Sequence, residues 1–256
     1  MGGYVELNIE AAGFTDIGPT RDENQDAIVL SGLIGLGNES HVEWNGTLFR
    51  DAVSCAVIDG MGGYKGGSAA AQLCATFLSE HHIPSSANEA NKMLEDLSQK
   101  VSVAGEEQGT PRMGAAFAML TLCDDTVSFI NVGDCRIYSI QGSSMGQMSV
   151  DDRLDDGSSG ITQAIGPTNK PDAHFYTRTL QTGEYRFVLC SDGVWGTLEN
   201  DLLKQLITKN DSLQDVCSEI REKLYELCPA DNCSFVIVEV SVKQQEAMRT
   251  RSEVSQ

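Results

Sequence analysis

Positive charge is scarce in this sequence: 18 Lys and Arg stand against 37 Asp and Glu, a formal net charge of −19. That balance excludes the clustered basic surface that nucleic acid or an anionic membrane requires. It suits a protein that collects cations, although most of the surplus acid belongs to a solvated face. No apolar run approaches the roughly 18 residues that span a bilayer. Met1–Gly13 has neither a basic nor an apolar segment, so no secretory signal is expected there, and Glu6 stands where a myristoylation signal needs Ser or Thr. None of the eight cysteines forms a C-x-x-C pair, and the four histidines show no ligand spacing with them, which argues against zinc. Most of the thiols sit among Val, Ile, Leu and Phe, as reduced core residues of a cytoplasmic protein do.

Several signatures of catalysis are missing as well. No Cys is followed six positions later by Arg, which excludes the cysteine-dependent phosphatase loop. There is no G-x-x-x-x-G-K-[ST], and Gly32, Gly35 and Gly37 do not make G-x-G-x-x-G. Asp152, Asp156 and Gly157 hint at a calcium loop, but Leu154 and Gln163 occupy its ligand positions. Asn-x-Ser/Thr triplets at Asn38 and Asn45 mean little without secretion.

Without repeats, Pro-rich linkers or low-complexity blocks, the chain reads as one domain over 1–242 followed by a polar tail over 243–256. Strands are expected at Ala12–Ile17, Ala27–Leu30, Ala52–Ile58, Ala115–Leu122, Thr126–Val132, Arg136–Ile140, Ala173–Thr179, Tyr185–Cys190 and Cys233–Val242. Asp124-Asp125 joins two of these as a tight hairpin. Helical spacing places one apolar stripe on Ala70, Leu73, Cys74, Phe77 and Leu78 and a second on Met93, Leu94, Leu97 and Val101. A third falls on Leu202, Leu203, Leu206 and Ile207. A fourth runs from Leu213 to Leu227, with Ser212 and Asp215 placed as a capping pair. Tight turns between strands favour antiparallel sheets, and each helix pair needs a sheet face to cover. The fold class that satisfies both is α+β: a four-layer α-β-β-α sandwich of two antiparallel sheets flanked by helix pairs.

The aspartates carry the functional signal. Asp26 precedes a strand, Asp59 follows one, Asp134 and Asp192 lie just past two more, and Asp231 just precedes the last. In antiparallel sheets the start of one strand lies beside the end of its neighbour, so these five can meet at one edge. Singly, each is ordinary turn chemistry, and Asp59-Gly60 and Asp192-Gly193 are common turn pairs. Together, clustered carboxylates repel one another unless cations sit between them, and oxygen-only ligands select Mg²⁺ or Mn²⁺.

These motifs resemble the type-2C, metal-dependent protein phosphatase family, in its bacterial branch, over about Gly13–Val242. They read, in the family's order, Thr15–Gly18 with Arg21–Asp26, Val57–Gly63, Val132–Arg136, Ile161–Gly166, Cys190–Trp195 and Asp231–Ser234. The resemblance implies that Asp59 bridges two metal ions with the Gly60 carbonyl as a further ligand. It implies that Asp192 and Asp231 complete the first site and Asp26 acts through a metal-bound water. Asp134, with Asp192, resembles the pair that holds a third, weaker ion. Arg21 would bind phosphoryl oxygens through its bidentate fork. Two ions ~3.5–4 Å apart can lower the pKa of a bridging water, whose hydroxide attacks phosphorus in line.

The function implied is hydrolysis of phosphoserine and phosphothreonine in proteins, partners of a serine/threonine kinase, with no nucleic acid and no membrane. The alternatives are a phosphatase-like scaffold that binds phosphoproteins, and a hydrolase of small phosphoesters. Asn24 and Gln25 are expected to support the site from behind, and Gly62 and Gly63 to let the backbone turn beside it. The chain departs from the pattern in four places. The segment corresponding to the relatives' flap is short and reads Met148–Arg153 without a histidine. Met113-Gly114-Ala115-Ala116 lacks the usual hydroxyls. Met61 stands where eukaryotic members have histidine, which leaves no general acid to assign. Gly32–Asp51 is long, as an extended hairpin or partner-binding loop would be.

Overall fold

The computed structural model describes residues 4–48, 52–62, 66–81, 83–142, 144–154, 160–167, 170–209 and 212–245. In chain order it contains β1 (Tyr4–Asp16), β2 (Asp26–Leu30), β3 (Leu33–Gly35), β4 (Glu39–Leu48) and β5 (Ala52–Met61). Helices α1 (Gly66–Glu80) and α2 (Ala87–Glu107) follow, then β6 (Gly114–Cys123), β7 (Thr126–Val132), β8 (Arg136–Gln141) and β9 (Ser144–Gln147). The rest is β10 (His174–Thr179), β11 (Gly183–Cys190), α3 (Asp192–Trp195), α4 (Asn200–Lys209), α5 (Leu213–Leu227) and β12 (Cys233–Gln245).

The strands form two six-stranded sheets, ordered β4-β1-β12-β11-β8-β9 and β10-β7-β6-β5-β2-β3. All their pairings are antiparallel. Between the sheets lies a core that includes Ile9, Ile28, Val57, Leu120, Phe187 and Val238. Ala70, Phe77, Leu94 and Leu97 of α1 and α2 cover the outer face of the β5–β6 sheet. Leu203, Ile207, Val216 and Ile220 of α4 and α5 cover the outer face of the β1–β12 sheet. The four-layer sandwich expected from the sequence is the architecture observed.

Burial along β1 shows how far the helices reach. Leu7, Ile9 and Ala11 point into the inter-sheet core, while the polar Asn8 and Glu10 alternate with them. From Ala11 to Asp16 both faces are buried, and Ala12 and Phe14 pack into the helix-side core. The capping pair forms, with the Asp215 amide donating to Ser212 Oγ at 3.3 Å. Asp124 turns the β6–β7 hairpin with φ +51°.

Several features differ from the sequence reading: β1 begins at Tyr4, where a strand is expected only from Ala12, and β9 is not expected. Gly32–Asp51 is no single hairpin. Its β3 pairs with β2 in one sheet and its β4 with β1 in the other, so the segment crosses between the two edges. β4 alternates strictly, with Val42 and Trp44 against the core and Glu39, His41 and Glu43 exposed, a charged edge that discourages further strand pairing. A short helix, α3, begins at Asp192 itself. Finally, β12 continues to Gln245, three residues beyond the expected boundary, because it pairs with the start of β1. Residues 246–256 of the expected tail, and Gly63, lie outside the described residues.

Leu94 is fully buried where α2 meets the sheet. Leu94→Ala should therefore destabilise the fold by about 2–5 kcal/mol, read as a lower urea midpoint at unchanged slope. A loss near zero would mean that α2 is not part of the packed structure.

Candidate active site

One edge of the sandwich gathers the acidic strand ends. Asp26 and Asp59 lie directly opposite each other on β2 and β5. Asp134 follows β7, in the turn that crosses from one sheet to the other. Gly133 makes that turn with φ +91°, and a Cβ there would come within 2.5 Å of the Ala116 Cβ. Asp192 opens α3 at the end of β11, and Asp231 stands just before β12. A cleft of about 330 Å³ is lined by Arg21, Asp59, Gly60, Asp134, Asp192 and Asp231, among others. Gly60 packs tightly against the start of α1: a Cβ on it would lie 2.1 Å from the Gly67 carbonyl oxygen.

Asp26 sits behind this cleft, only 3 % exposed. Its Oδ2 accepts from Ser191 Oγ at 2.8 Å, and Ser191 Oγ in turn accepts from the Ser234 amide at 3.0 Å. Asn24 receives the Asp26 amide at 3.1 Å and donates to Thr15 Oγ1 and the Gly37 carbonyl, both at 2.8 Å. Asn232 receives the Gln25 amide at 2.9 Å and donates to the carbonyls of Ile17 and Glu23 at 2.9 and 3.0 Å. Asp16, 1 % exposed, pins the turn before Arg21. It accepts from Arg221 Nε at 2.6 Å, Tyr225 OH at 2.8 Å and the Gly18 amide at 2.8 Å. Arg21 itself is held on the rim by Asp231 Oδ2 at 2.5 Å and the Ala230 carbonyl at 3.0 Å.

Burial and mutual repulsion raise Asp26, Asp59, Asp134 and Asp192 above the usual carboxylate value. Burial pushes Asp26 up to about 7, with Asp192 and Asp231 adding repulsion against the lowering effect of its hydroxyl partners. Asp59 is raised well above its ordinary value too, by burial and then by Asp26, Asp192, Asp231 and Asp134. Asp134 rises to about 6 through burial and Asp192, and Asp192 rises through burial and Asp231. Arg153 opposes the last two shifts. Burial also raises the thiols of Cys135, Cys190 and Cys233 beside the cluster, so they remain protonated and un-nucleophilic.

The match to known proteins decides the family: residues 43–226 fit the family model described as protein phosphatase 2C. The chain belongs to the protein phosphatase 2C family. It is 23% identical over 262 residues to protein phosphatase PhpP of Streptococcus pneumoniae, covering 93% of this chain and all of that protein. It is 23% identical over 234 residues to serine/threonine phosphatase stp of Listeria innocua, covering 80% of this chain and 92% of the relative. Its fold matches the S. agalactiae serine/threonine phosphatase with a TM-score of 0.74 at 21% identity, over 90% and 98% of the two chains. It also matches the catalytic domain of PstP in complex with two manganese ions, with a TM-score of 0.73 at 18% identity, over 92% and 99%.

As a protein phosphatase 2C domain, the chain places Asp59, Gly60, Asp134, Asp192, Asp231 and Arg21 on one cleft and Asp26 immediately behind it. The donor set fits a hard divalent cation. It is oxygen-rich, and Asp192 Oδ1 is buried with no hydrogen-bond partner among the described residues. Yet no three His, Cys, Asp or Glu side chains among the described residues converge tightly enough to cage one ion by themselves. Mg²⁺ and Mn²⁺ tolerate this, because they keep several waters and accept backbone carbonyls alongside one or two carboxylates. Sequence reasoning passed over Ser191, Asn232 and Trp195 as parts of the site. Each lay inside a quoted motif, but only the fold shows Ser191 on Asp26, Asn232 on the Arg21 loop, and Trp195 Nε1 donating to the Asp134 carbonyl at 3.0 Å.

The folded-state values of Asp26 and Asp134, about 7 and about 6, exceed the ordinary 3.8. Between about pH 4 and 7 the folded protein therefore keeps protons that the unfolded chain has released. The stability these groups contribute is complete below that window and is lost as pH rises through 6 and 7. Without metal, the melting temperature should fall less from about pH 5 to about pH 7.5 in Asp134→Asn than in the natural chain. Added Mn²⁺ should raise it more at the higher pH. Equal Mn²⁺ stabilisation at both pH values in scanning fluorimetry would contradict the cluster's role.

Proposed function

We infer that the protein hydrolyses phosphoserine and phosphothreonine in other proteins, using Mg²⁺ or Mn²⁺ at the aspartate-lined cleft. The reading is carried by the convergence of Asp59, Asp134, Asp192 and Asp231 around one opening with Arg21 on its rim. Names of relatives support it: the Listeria innocua protein is called a serine/threonine phosphatase, and the PstP structure holds two manganese ions. Asp59, the Gly60 carbonyl, Asp192 and Asp231 would hold two ions, with Asp26 supporting from behind, and Asp134 with Asp192 a third, weaker one. Bound divalent ions supply a water acidic enough to be a nucleophile at neutral pH and neutralise charge on the phosphoryl group.

The chain's own residues do the rest. Asp26, held by Ser191, fixes the back wall beside Asp59. Arg21 exchanges its Asp231 partner for the equatorial phosphoryl oxygens, a bidentate match of guanidinium to phosphate. Its exposure of 45% leaves room for that movement. Among the described residues, no histidine, tyrosine or cysteine lines the cleft. We therefore assign leaving-group protonation to solvent held in the site and not to a side chain. The eight free cysteines fit a reducing, cytoplasmic setting. No helix among the described residues is long and apolar enough to cross a membrane.

A scaffold that binds phosphoproteins without turnover is the second reading. The observation favouring it is Arg21, already engaged by Asp231. Titration calorimetry separates the two, since the enzyme should bind at least two Mn²⁺ ions and a scaffold need bind none. With Mn²⁺ the protein should release phosphate from p-nitrophenyl phosphate and from a phosphothreonine peptide, and excess EDTA should abolish this. Asp59→Asn should lower kcat/KM on the order of a thousandfold, several kcal/mol of transition-state stabilisation, without lowering the melting temperature. A folded, metal-loaded protein with no turnover on either substrate would defeat the enzymatic reading.

A further inference from the structure

In the sequence Asp152 shows only as part of a calcium-loop pattern that fails. In the fold it is 8 % exposed, and three donors converge on its carboxylate. Its Oδ2 accepts the Gly133 amide at 2.9 Å. Its Oδ1 accepts from Gln163 Nε2 at 3.0 Å and from His174 Nε2 at 2.9 Å. An ionised carboxylate only accepts, so the hydrogen of the His174 contact sits on Nε2. Three donors are what a carboxylate withdrawn from water needs.

Those donors come from separate parts of the chain. Gly133 follows β7, Gln163 lies ahead of β10, and His174 opens β10. Gln163 is fixed in turn, since its Oε1 accepts the Asp172 amide at 2.9 Å. His174 stands opposite Asn131 of β7. The Asn131 side chain exchanges hydrogen bonds with the Val150 backbone at 2.6 and 3.2 Å, which lays the segment leading to Asp152 along the end of β7.

Gly133 needs what Asp152 supplies. β7 ends at Val132, so the amide and carbonyl of the buried Gly133 lie beyond its ladder. Buried backbone groups left unpaired are costly. The Asp152 carboxylate takes the Gly133 amide, and the Asp152 amide donates to the Gly133 carbonyl at 3.0 Å. The next residue is Asp134, which lines the cleft, and its carbonyl accepts from Trp195 Nε1 at 3.0 Å. The backbone on both sides of Asp134 is therefore held, by Asp152 before it and by Trp195 after it.

We propose that Asp152, backed by His174 and Gln163, is a positioning residue for Asp134. Asp152 does not line the cleft; it fixes the turn that aims a carboxylate into it. This rests on the reading of the cleft as a metal-dependent phosphatase site with Asp134 on its weaker ion. Asp59 and Asp231 stand on other elements, so the effect of Asp152 is confined to the ion that Asp134 holds.

The test is titration calorimetry of the full chain with Mn²⁺, with melting temperatures measured alongside. Asp152→Ala should weaken the weakest Mn²⁺ site about tenfold, the lower end of what a lost supporting group costs a metal site, and leave tighter sites within about twofold. Asp152→Asn keeps an oxygen for the Gly133 amide and should recover most of that loss. His174 is partly exposed on an edge strand, so its variants judge the idea even where Asp152→Ala does not fold. His174→Ala should weaken the same site by a smaller factor, and His174→Gln, which keeps a donor, should restore it. In an Asp134→Asn background, Asp152→Ala should add almost nothing, because the group it acts through is gone. Equal weakening of every Mn²⁺ site would overturn the proposal, as would an Asp152→Ala effect that persists in Asp134→Asn. So would Mn²⁺ binding that Asp134→Asn leaves unchanged, or natural affinity at every site in folded Asp152→Ala or, where that variant does not fold, in His174→Ala. A natural chain that neither binds Mn²⁺ nor hydrolyses p-nitrophenyl phosphate would strike the phosphatase reading itself. One that does both, with Mn²⁺ binding indifferent to Asp152 and His174, would strike the positioning role alone.

Discussion

Everything in this molecule turns on holding like charges together where water is scarce. Asp26 and Asp59 face each other across neighbouring antiparallel strands, an arrangement that repels when both are ionised. Asp192 and Asp231 close the ring from the other sheet, and Asp134 from the turn between the two. Left to themselves such groups would protonate or move apart. They stay because each is attached to an element that a hydrophobic core fixes in place. The core between the sheets sets the strand ends, and the two helix layers prevent the sheets from sliding. The site is thus strained in its charge and rigid in its frame, a condition that a divalent cation relieves.

The polar groups beneath the cleft extend that frame. Ser191 ties Asp26 to the first residues of β12, and Asn232 ties the Arg21 loop to the same strand. Asp16, gripped by Arg221 and Tyr225 from α5, links that loop to the outer helix layer. Hence residues far apart in sequence share one rigid corner. Buried polar groups with their hydrogen bonds made specify one geometry, and catalytic groups need that geometry held closely.

Much of this was legible in the sequence, and the failures have identifiable causes. The helices showed because Leu94, Leu97 and Val101, like Val216, Ile220 and Leu224, recur at helical spacing. β7 was legible to its ends because Thr126 follows a turn and Gly133 breaks the strand. β4 was obscured because Gly46 and its exposed acidic and polar residues dilute the alternation of Val42 and Trp44. The crossing of Gly32–Asp51 between sheets could not show, since pairing partners lie outside any local window. At the site, the five aspartates stood out by position relative to strands. Their burial did not: nothing in the local sequence puts Asp26 behind the cleft and Asp59 on it.

The sequence by itself determined the alphabet of the site: acidic residues at strand ends, glycine where the chain must turn at Gly133, and a layered α+β fold to carry them. Those follow from periodicity and backbone sterics, which act over a few residues. Tertiary structure alone decided which carboxylates share one cleft, that Arg21 rests on Asp231, and that Trp195 reaches the Asp134 carbonyl. Those depend on the packing of two sheets and on electrostatics across distances that chain separation does not encode.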